Sequence, residues 1–372
     1  MALIRTEAAT IVGYLTLLCV TLFGGSLAPD DVGWRLSAAV FVILFFVMLW
    51  LAFSVVRHAE GLATLLGEPY GTLILTLSVI GIEVALIASI MITGSNKPTL
   101  ARDTMFSVIM IVLNGLVGLS LLTGGLRHRF QNYNLEGATA YLAVLIPLAA
   151  LSLILPRFSP AAPGGELSQL NAAFLIGMSI ILYGVFLGVQ TVTHSDIFQQ
   201  PAPGASDLQE ASQVHHGSAV QTVPHHCIGL LAAMLPIVLL SKNFAVYVDF
   251  GIERLGAPLA LGGFLIAALI LTPEGLSAIQ AARKNQLQRA VNICLGSSLS
   301  TIGLTVPAIL TISWVMSKPV ELGLNSSDIV ILSVTLIVSI VTFVSARTNV
   351  LFGVVHLALF AAYVMMIFDA SV

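Results

Sequence analysis

The sequence predicts an all-α polytopic membrane protein of about eleven transmembrane helices, arranged as one leading helix plus two inverted-topology five-helix repeats. Three observations carry that prediction. Only 9% of the 372 residues are charged and 57% are hydrophobic, with a mean hydropathy of +0.99, whereas soluble domains carry about 25% charged residues. Uncharged apolar runs of bilayer-spanning length recur from one end of the chain to the other. Two of those runs, five apart in order, each enclose a glutamate.

The runs lie near 8–28, 35–56, 72–93, 103–124, 138–155, 170–192, 227–249, 256–281, 290–316, 327–345 and 349–368. The first follows a single positive charge, Arg5, and its only small-residue exit, Ser26-Leu27-Ala28, runs straight into Pro29. Proline is unfavourable just after a cleavage point, so the run reads as a retained helix, not a signal peptide. Lys242 interrupts the seventh run. Cys19, Cys227 and Cys294 are widely separated and odd in number, which fits reduced packing residues and not a disulfide framework or a metal site. A net charge of −3 offers no basic surface for nucleic acid.

The longest polar interruption, residues 193–226, divides the chain. Residues 1–30 form the leading helix, 31–192 a first five-helix repeat, 193–226 an interrepeat loop and 227–372 a second five-helix repeat. The third run, LSVIGIEVALIASIMI, holds Glu83, and the eighth, with LTPEGLSAIQAA, holds Glu274. Because five is odd, equivalent helices cross in opposite directions, the architecture of many secondary transporters, whose sites lie near the midplane between repeats. Eight Lys and Arg on the N-terminal side, against Arg35, Lys97, Arg102, Arg157, Arg254 and Lys318 on the other, favour a cytoplasmic N-terminus and loop.

An acid at a helix centre costs about 2.5–3.5 kcal/mol on insertion scales and usually marks an ion or proton path. The plainer reading of Glu83 is a protonated or ion-paired structural acid, but no Lys or Arg lies near the centre of any assigned span. Glu274 follows Pro273, whose missing N–H disturbs the preceding turn and frees carbonyls to act as ligands. A carboxyl removed from water holds its proton readily, and two side by side more readily still. A hard cation such as Ca²⁺ competes with those protons for the same oxygens. Glu83 and Glu274 are therefore the expected metal and proton ligands, exchanging a cation for protons without a covalent step or a cofactor.

Small polar residues on adjacent runs are the expected remainder of the oxygen shell. Asn114 lies mid-span in VIMIVLNGLVGLSLL, and LGSSLSTIGLTVP contributes Ser297, Ser298, Ser300, Thr301 and Thr305. Any single Ser or Thr here is equally a helix-packing residue; the Asn114 amide is the stronger ligand candidate, since an amide in lipid needs partners.

These residues also carry a family resemblance. GEPYGTLILTLSVIGIEVALI (67–87), the preceding VVRHAEGLA (55–63) and LTPEGLSAIQAARKNQLQRAVNICLGSSLSTIGLTVP (271–307) resemble the two α-repeats of bacterial ChaA-type antiporters, within the cation/Ca²⁺ exchanger superfamily. The resemblance implies exchange of Ca²⁺, or of Na⁺ and K⁺, for protons across the bacterial inner membrane, with Glu83 and Glu274 as shared cation and proton sites. It maps Asn114, Gly296, Ser297 and Ser300 onto accessory cation-binding positions. One departure stands out: the Gly-Asn pair usual before each glutamate is replaced by Val79-Ile80 and Ile270-Leu271. Losing those amides removes neutral oxygens and leaves room for monovalent cations.

The interrepeat loop carries His194, His215, His216, His225 and His226 alongside Asp196, Asp207 and Glu210. It reads as a pH or metal sensor or as a solvated linker, and adjacent His pairs lack a metal-ligand spacing. Other function classes are poorly served. The chain has no HExxH, no GxSxG, no intramembrane aspartate pair and no phosphate-binding loop, and His356 stands alone in the last run as a packing or hydrogen-bonding residue. A channel would want a continuous polar lining, whereas polar residues here gather around two pairs of helices.

Overall fold

Apolar runs without breakers become helices, and these helices stop where glycine or a short polar turn lets the backbone leave. The computed structural model describes residues 7–24, 28–67, 70–93, 98–159, 165–200, 222–345 and 347–369. In chain order the helices are α1 (Ala8–Phe23), α2 (Trp34–Leu66), α3 (Tyr70–Thr93), α4 (Leu100–His128), α5 (Leu135–Phe158) and α6 (Gln169–Thr193). Then come α7 (Val223–Leu255), α8 (Ala260–Arg283), α9 (Leu287–Met316), α10 (Ser326–Phe343) and α11 (Val350–Asp369). Nine helices among the described residues are long and apolar enough to cross a membrane; α1 and the Thr76–Met91 part of α3 are shorter apolar helices. Leu15, Leu22, Phe46, Leu231, Val315 and Leu351 are among many large apolar side chains left outside the packed interior, as a multi-pass membrane protein requires of its lipid-facing surface. The only strands among the described residues are β1 (Gln131–Asn132) and β2 (Arg347–Thr348), a two-residue antiparallel clasp between loops.

Two helices outrun the lengths their hydropathy predicts. α2 continues past residue 56 through Arg-His-Ala-Glu to Leu66 and stops at Gly67, whose φ of +69° suits glycine. α7 starts at Val223 with Pro224 in its first turn, where a missing N–H costs nothing, and ends at left-handed Gly256. His225 and His226 therefore belong to the first turn of α7 and not to the loop. His194 sits just past α6; Pro201, Pro203, Asp207, Glu210, His215 and His216 lie outside the described residues. At 33 residues each, α2 and α7 are about 50 Å long, longer than a hydrocarbon core of about 30 Å is thick.

α2 and α7 pack antiparallel: Phe41 stacks on Phe244 at 5.7 Å near one end, and His58 meets His226 at 5.4 Å near the other. Around them the buried side chains form two clusters. One joins α2, α3 and α7; the other joins α4, α5, α6, α9, α10 and α11. α8 serves both, sending Ile266, Leu269 and Ile270 into the first and Ala267, Leu271 and Ala278 into the second. α3 straddles the same seam, with Val79, Ile82, Leu86 and Ile90 on one side and Ile87 on the other. Gly263 brings α8 against α4 so closely that a Cβ there would stand 2.7 Å from the Asp103 carbonyl carbon and the Thr104 nitrogen, the small-residue contact typical of membrane helices. Both glutamate-bearing helices thus run along the boundary between two packed bodies.

Candidate cation site

Helical regularity breaks at the middle of α4 and of α9, where Ile111–Leu116 and Thr301–Thr305 are π-helical turns. A π turn inserts an extra residue and re-aims the side chains around it, and such turns gather at functional sites. Asn114 lies in the first; Thr301 and Thr305 lie in the second.

Glu83, on α3, is 2% exposed. Its Oε2 accepts a hydrogen bond from Thr301 Oγ1 at 2.9 Å, and Thr305 lies beside it. Its Oε1 is buried with no hydrogen-bond partner among the described residues. The acid of the first half is therefore held by the π turn of the second. Glu274, on α8, is near enough to act electrostatically on Glu83. The Ser297 hydroxyl lies beside Glu274, and Ser300 Oγ donates to the Ser297 carbonyl at 3.0 Å. Glu274 Oε2 is likewise buried and unpartnered among the described residues. A bare carboxylate in this setting is strongly disfavoured unless a proton or a cation joins it.

A cavity of about 480 Å³ reaches Glu274. Ser277, Ser297 and Ser300 line it with Glu274, and Glu60 of α2 with Arg289 and Asn292 of α9 add charge and polarity to its wall. Val79, one turn before Glu83, borders this cavity, but Glu83 itself is not among the lining residues. Ser297 and Ser300 thus share the cavity wall with Glu274.

Two expectations change. α8 is helical without interruption from Ala260 to Arg283, so Pro273 does not unwind it; proline there removes one intrahelical donor only. Asn114 is fully buried, but its amide is engaged elsewhere: Nδ2 donates to Thr335 Oγ1 at 2.8 Å, and Oδ1 faces His356 Nδ1 at 3.3 Å. His356 Nε2 in turn meets Thr342 Oγ1 at 3.0 Å, the local hydrogen bonding expected of it. As a cation ligand Asn114 would have to give up that histidine. Sequence reasoning undervalued Thr301, one hydroxyl in a Ser/Thr-rich run, because only the fold shows which hydroxyl meets Glu83. Glu60 was visible within VVRHAEGLA but not as a cavity residue.

Comparison with known proteins bears on the whole chain. The family model for sodium/calcium exchanger proteins matches residues 36–192 and 225–368, leaving out most of the interrepeat segment. The sodium-potassium/proton antiporter ChaA of Escherichia coli is 41% identical over 363 residues, covering 97% of this chain and 96% of that one. The Ca²⁺/H⁺ antiporter ChaA of Bacillus subtilis is 26% identical over 339 residues, covering 89% and 91%. Among solved structures, native YfkE superposes with a TM-score of 0.72 at 20% identity, covering 97% of this chain and 99% of that one. The H⁺/Ca²⁺ exchanger CAX gives 0.64 at 11% identity, covering 99% and 92%. With helices of this order, two acids on the seam and a family match across both halves, the chain belongs to the sodium/calcium exchanger protein family.

Proposed function

We propose that this protein is a secondary-active cation/proton antiporter in which Glu83 and Glu274 bind cation and protons in competition. The observation that carries the reading is a pair of carboxyls, Glu83 buried and Glu274 half-buried, each with one buried oxygen that has no hydrogen-bond partner among the described residues, on two helices running along the boundary of two packed bodies. Such oxygens need a proton or a metal ion, and a scaffold that opens to alternate sides turns that alternation into exchange. Ser297 and Ser300 are accessory ligands from the cavity wall, and Asn114 joins them where its amide is released from His356. No covalent chemistry and no cofactor are called for. The cargo is the inorganic cation itself.

Ca²⁺ is the first cargo to consider: its charge neutralises two carboxylates without a second ion. Na⁺ or K⁺, accompanied by one retained proton, is the second reading. It is supported by the apolar Val79, Ile80, Ile270 and Leu271, all buried, where amide oxygens would enlarge the shell. Ca²⁺ takes six to eight oxygens, and a shell short of them discriminates against it less strictly. The name of the 41%-identical relative points the same way. The repeat boundaries at residues 31–192 and 227–372, insertion in the bacterial inner membrane and a cytoplasmic N-terminus belong to the same reading.

Everted vesicles holding a pH-sensitive dye provide the test. Ca²⁺, Na⁺ or K⁺ added to energised vesicles should collapse the pH gradient, and Glu83→Gln or Glu274→Gln should each remove the response. Normal exchange by both variants would sink the two-carboxylate mechanism, and the order of response among the three cations identifies the cargo.

A further inference from the structure

Away from the seam, where α1 meets the ends of α2 and α7, one carboxylate and three imidazoles converge. Glu7 Oε2 lies 3.2 Å from His58 Nε2, and Glu7 Oε1 lies 3.7 Å from His225 Nε2. His58 Nδ1 faces His226 Nδ1 at 3.2 Å. The three rings are mutually 5.4–5.7 Å apart. Two buried atoms of the group, Glu7 Oε1 and His225 Nε2, have no hydrogen-bond partner among the described residues. The rings are also fitted into the helix packing. A Cβ on Gly61 would stand 2.4 Å from the His226 ring, and a Cβ on Gly229 would stand 2.3 Å from the His58 ring. Each helix therefore contributes a His-x-x-Gly, His58 with Gly61 and His226 with Gly229, and each glycine makes room for the other helix's histidine.

From this arrangement we infer a binding site for a transition-class divalent cation such as Zn²⁺, with Glu7, His58 and His225 as its ligands. One ligand atom from each of the three lies within 4.8 Å of the others. Ligand atoms about 2 Å from a tetrahedral zinc lie roughly 3.3 Å from one another; the Glu7 carboxylate stands 3.2 Å from His58 Nε2 through Oε2 and 3.7 Å from His225 Nε2 through Oε1. Two imidazoles and a carboxylate form a donor set suited to zinc-class ions, unlike the all-oxygen set that hard cations prefer. His226 supplies the outer support: accepting the Nδ1 proton of His58 fixes the tautomer that leaves His58 Nε2 bare for metal, as a metal-bound histidine usually requires. Arg57 is the competitor. Its Nη2 stands 3.3 Å from His58 Nε2 and 3.5 Å from Glu7 Oε1, and its half-exposed side chain can swing to solvent when a metal enters. Glu7 precedes the residues matched by the family model, so the site fastens a helix outside that match to the α2–α7 pair.

Zn²⁺ binding to the purified full chain in detergent, read by competition with a chromophoric zinc chelator, decides this. One site is expected, with its affinity unchanged within about twofold in a Glu83→Gln/Glu274→Gln double variant, which separates it from the transport carboxyls. Glu7→Gln and His225→Ala should each weaken binding by at least about tenfold, and His226→Ala, which removes no ligand, by about tenfold. Arg57→Gln should tighten it. Zn²⁺ should also raise the thermal unfolding midpoint of the wild type and not of His225→Ala. An equal affinity in Glu7→Gln and His225→Ala, no binding by the wild type, or loss of binding in the Glu83/Glu274 double variant would each overturn the assignment. Because zinc binding is read without transport, failure here leaves the antiport reading untouched, and the reverse.

Discussion

The two acids, one on α3 and one on α8, live in different surroundings. Glu83 is sealed, its Oε2 tied to Thr301 of the opposite half. Glu274 borders a cavity with Ser297 and Ser300 of its own half. The difference has a simple physical meaning: one member of a like pair borders open space while the other is closed in by protein. An exchanger that opens to alternate sides is expected to pass through such unequal arrangements. The α2–α7 contact behaves otherwise. There the two halves contribute the same His-x-x-Gly pattern and pack it reciprocally, so the contact is balanced where the acids are not.

The largest expected effect tests the inequality directly. A small water-soluble carbodiimide should modify Glu274 while sparing Glu83 over the same interval, with mass spectrometry of the peptides as the readout; equal modification would abolish the distinction. Next comes Thr301→Val, which keeps the side chain's shape and deletes the donor to Glu83. A hydrogen bond to a charged group contributes about 1.5–3 kcal/mol, so apparent cation affinity in vesicle exchange should fall about tenfold to a hundredfold. Gly61→Ala and Gly229→Ala probe the balanced contact: each Cβ would press on an imidazole, at a cost of about 1–3 kcal/mol. The two losses should be similar when measured as thermal unfolding in detergent. A large disparity would break the reciprocity. The smallest effect belongs to Ser297→Ala, beside the cavity, where water can replace the hydroxyl. Less than about 1 kcal/mol is expected, under fivefold in cation affinity, and a loss matching that of Thr301→Val would mean that Glu274 is as enclosed as Glu83.

The acids were legible in sequence because a carboxylate inside an apolar run is a local anomaly, readable from its own neighbours. The spacing of five spans suggests their pairing, and the family resemblance singles out Ser297 and Ser300 from the Ser/Thr-rich run; the structure places both on the cavity with Glu274. Helix ends were less legible. Hydropathy reports where lipid stops, whereas α2 runs on to Gly67 and α7 starts at Val223 with Pro224 in its first turn, so hydropathy alone leaves His225 and His226 in a loop. The freed carbonyls expected at Pro273 failed for a related reason. A single missing N–H does not unwind a helix whose neighbours hold both of its faces.

The sequence by itself determined the membrane class, the order of helices and the two carboxyls, since each is written in composition and periodicity over a few dozen adjacent residues. Tertiary structure alone decided the partners. Glu83 meets Thr301 across 218 positions, and His58 meets His226 across 168. Only helix crossings, set by glycine contacts and π turns, determine which of many similar hydroxyls and imidazoles arrive together. A local pattern specifies that a buried acid must be satisfied; the packing of distant helices specifies by what.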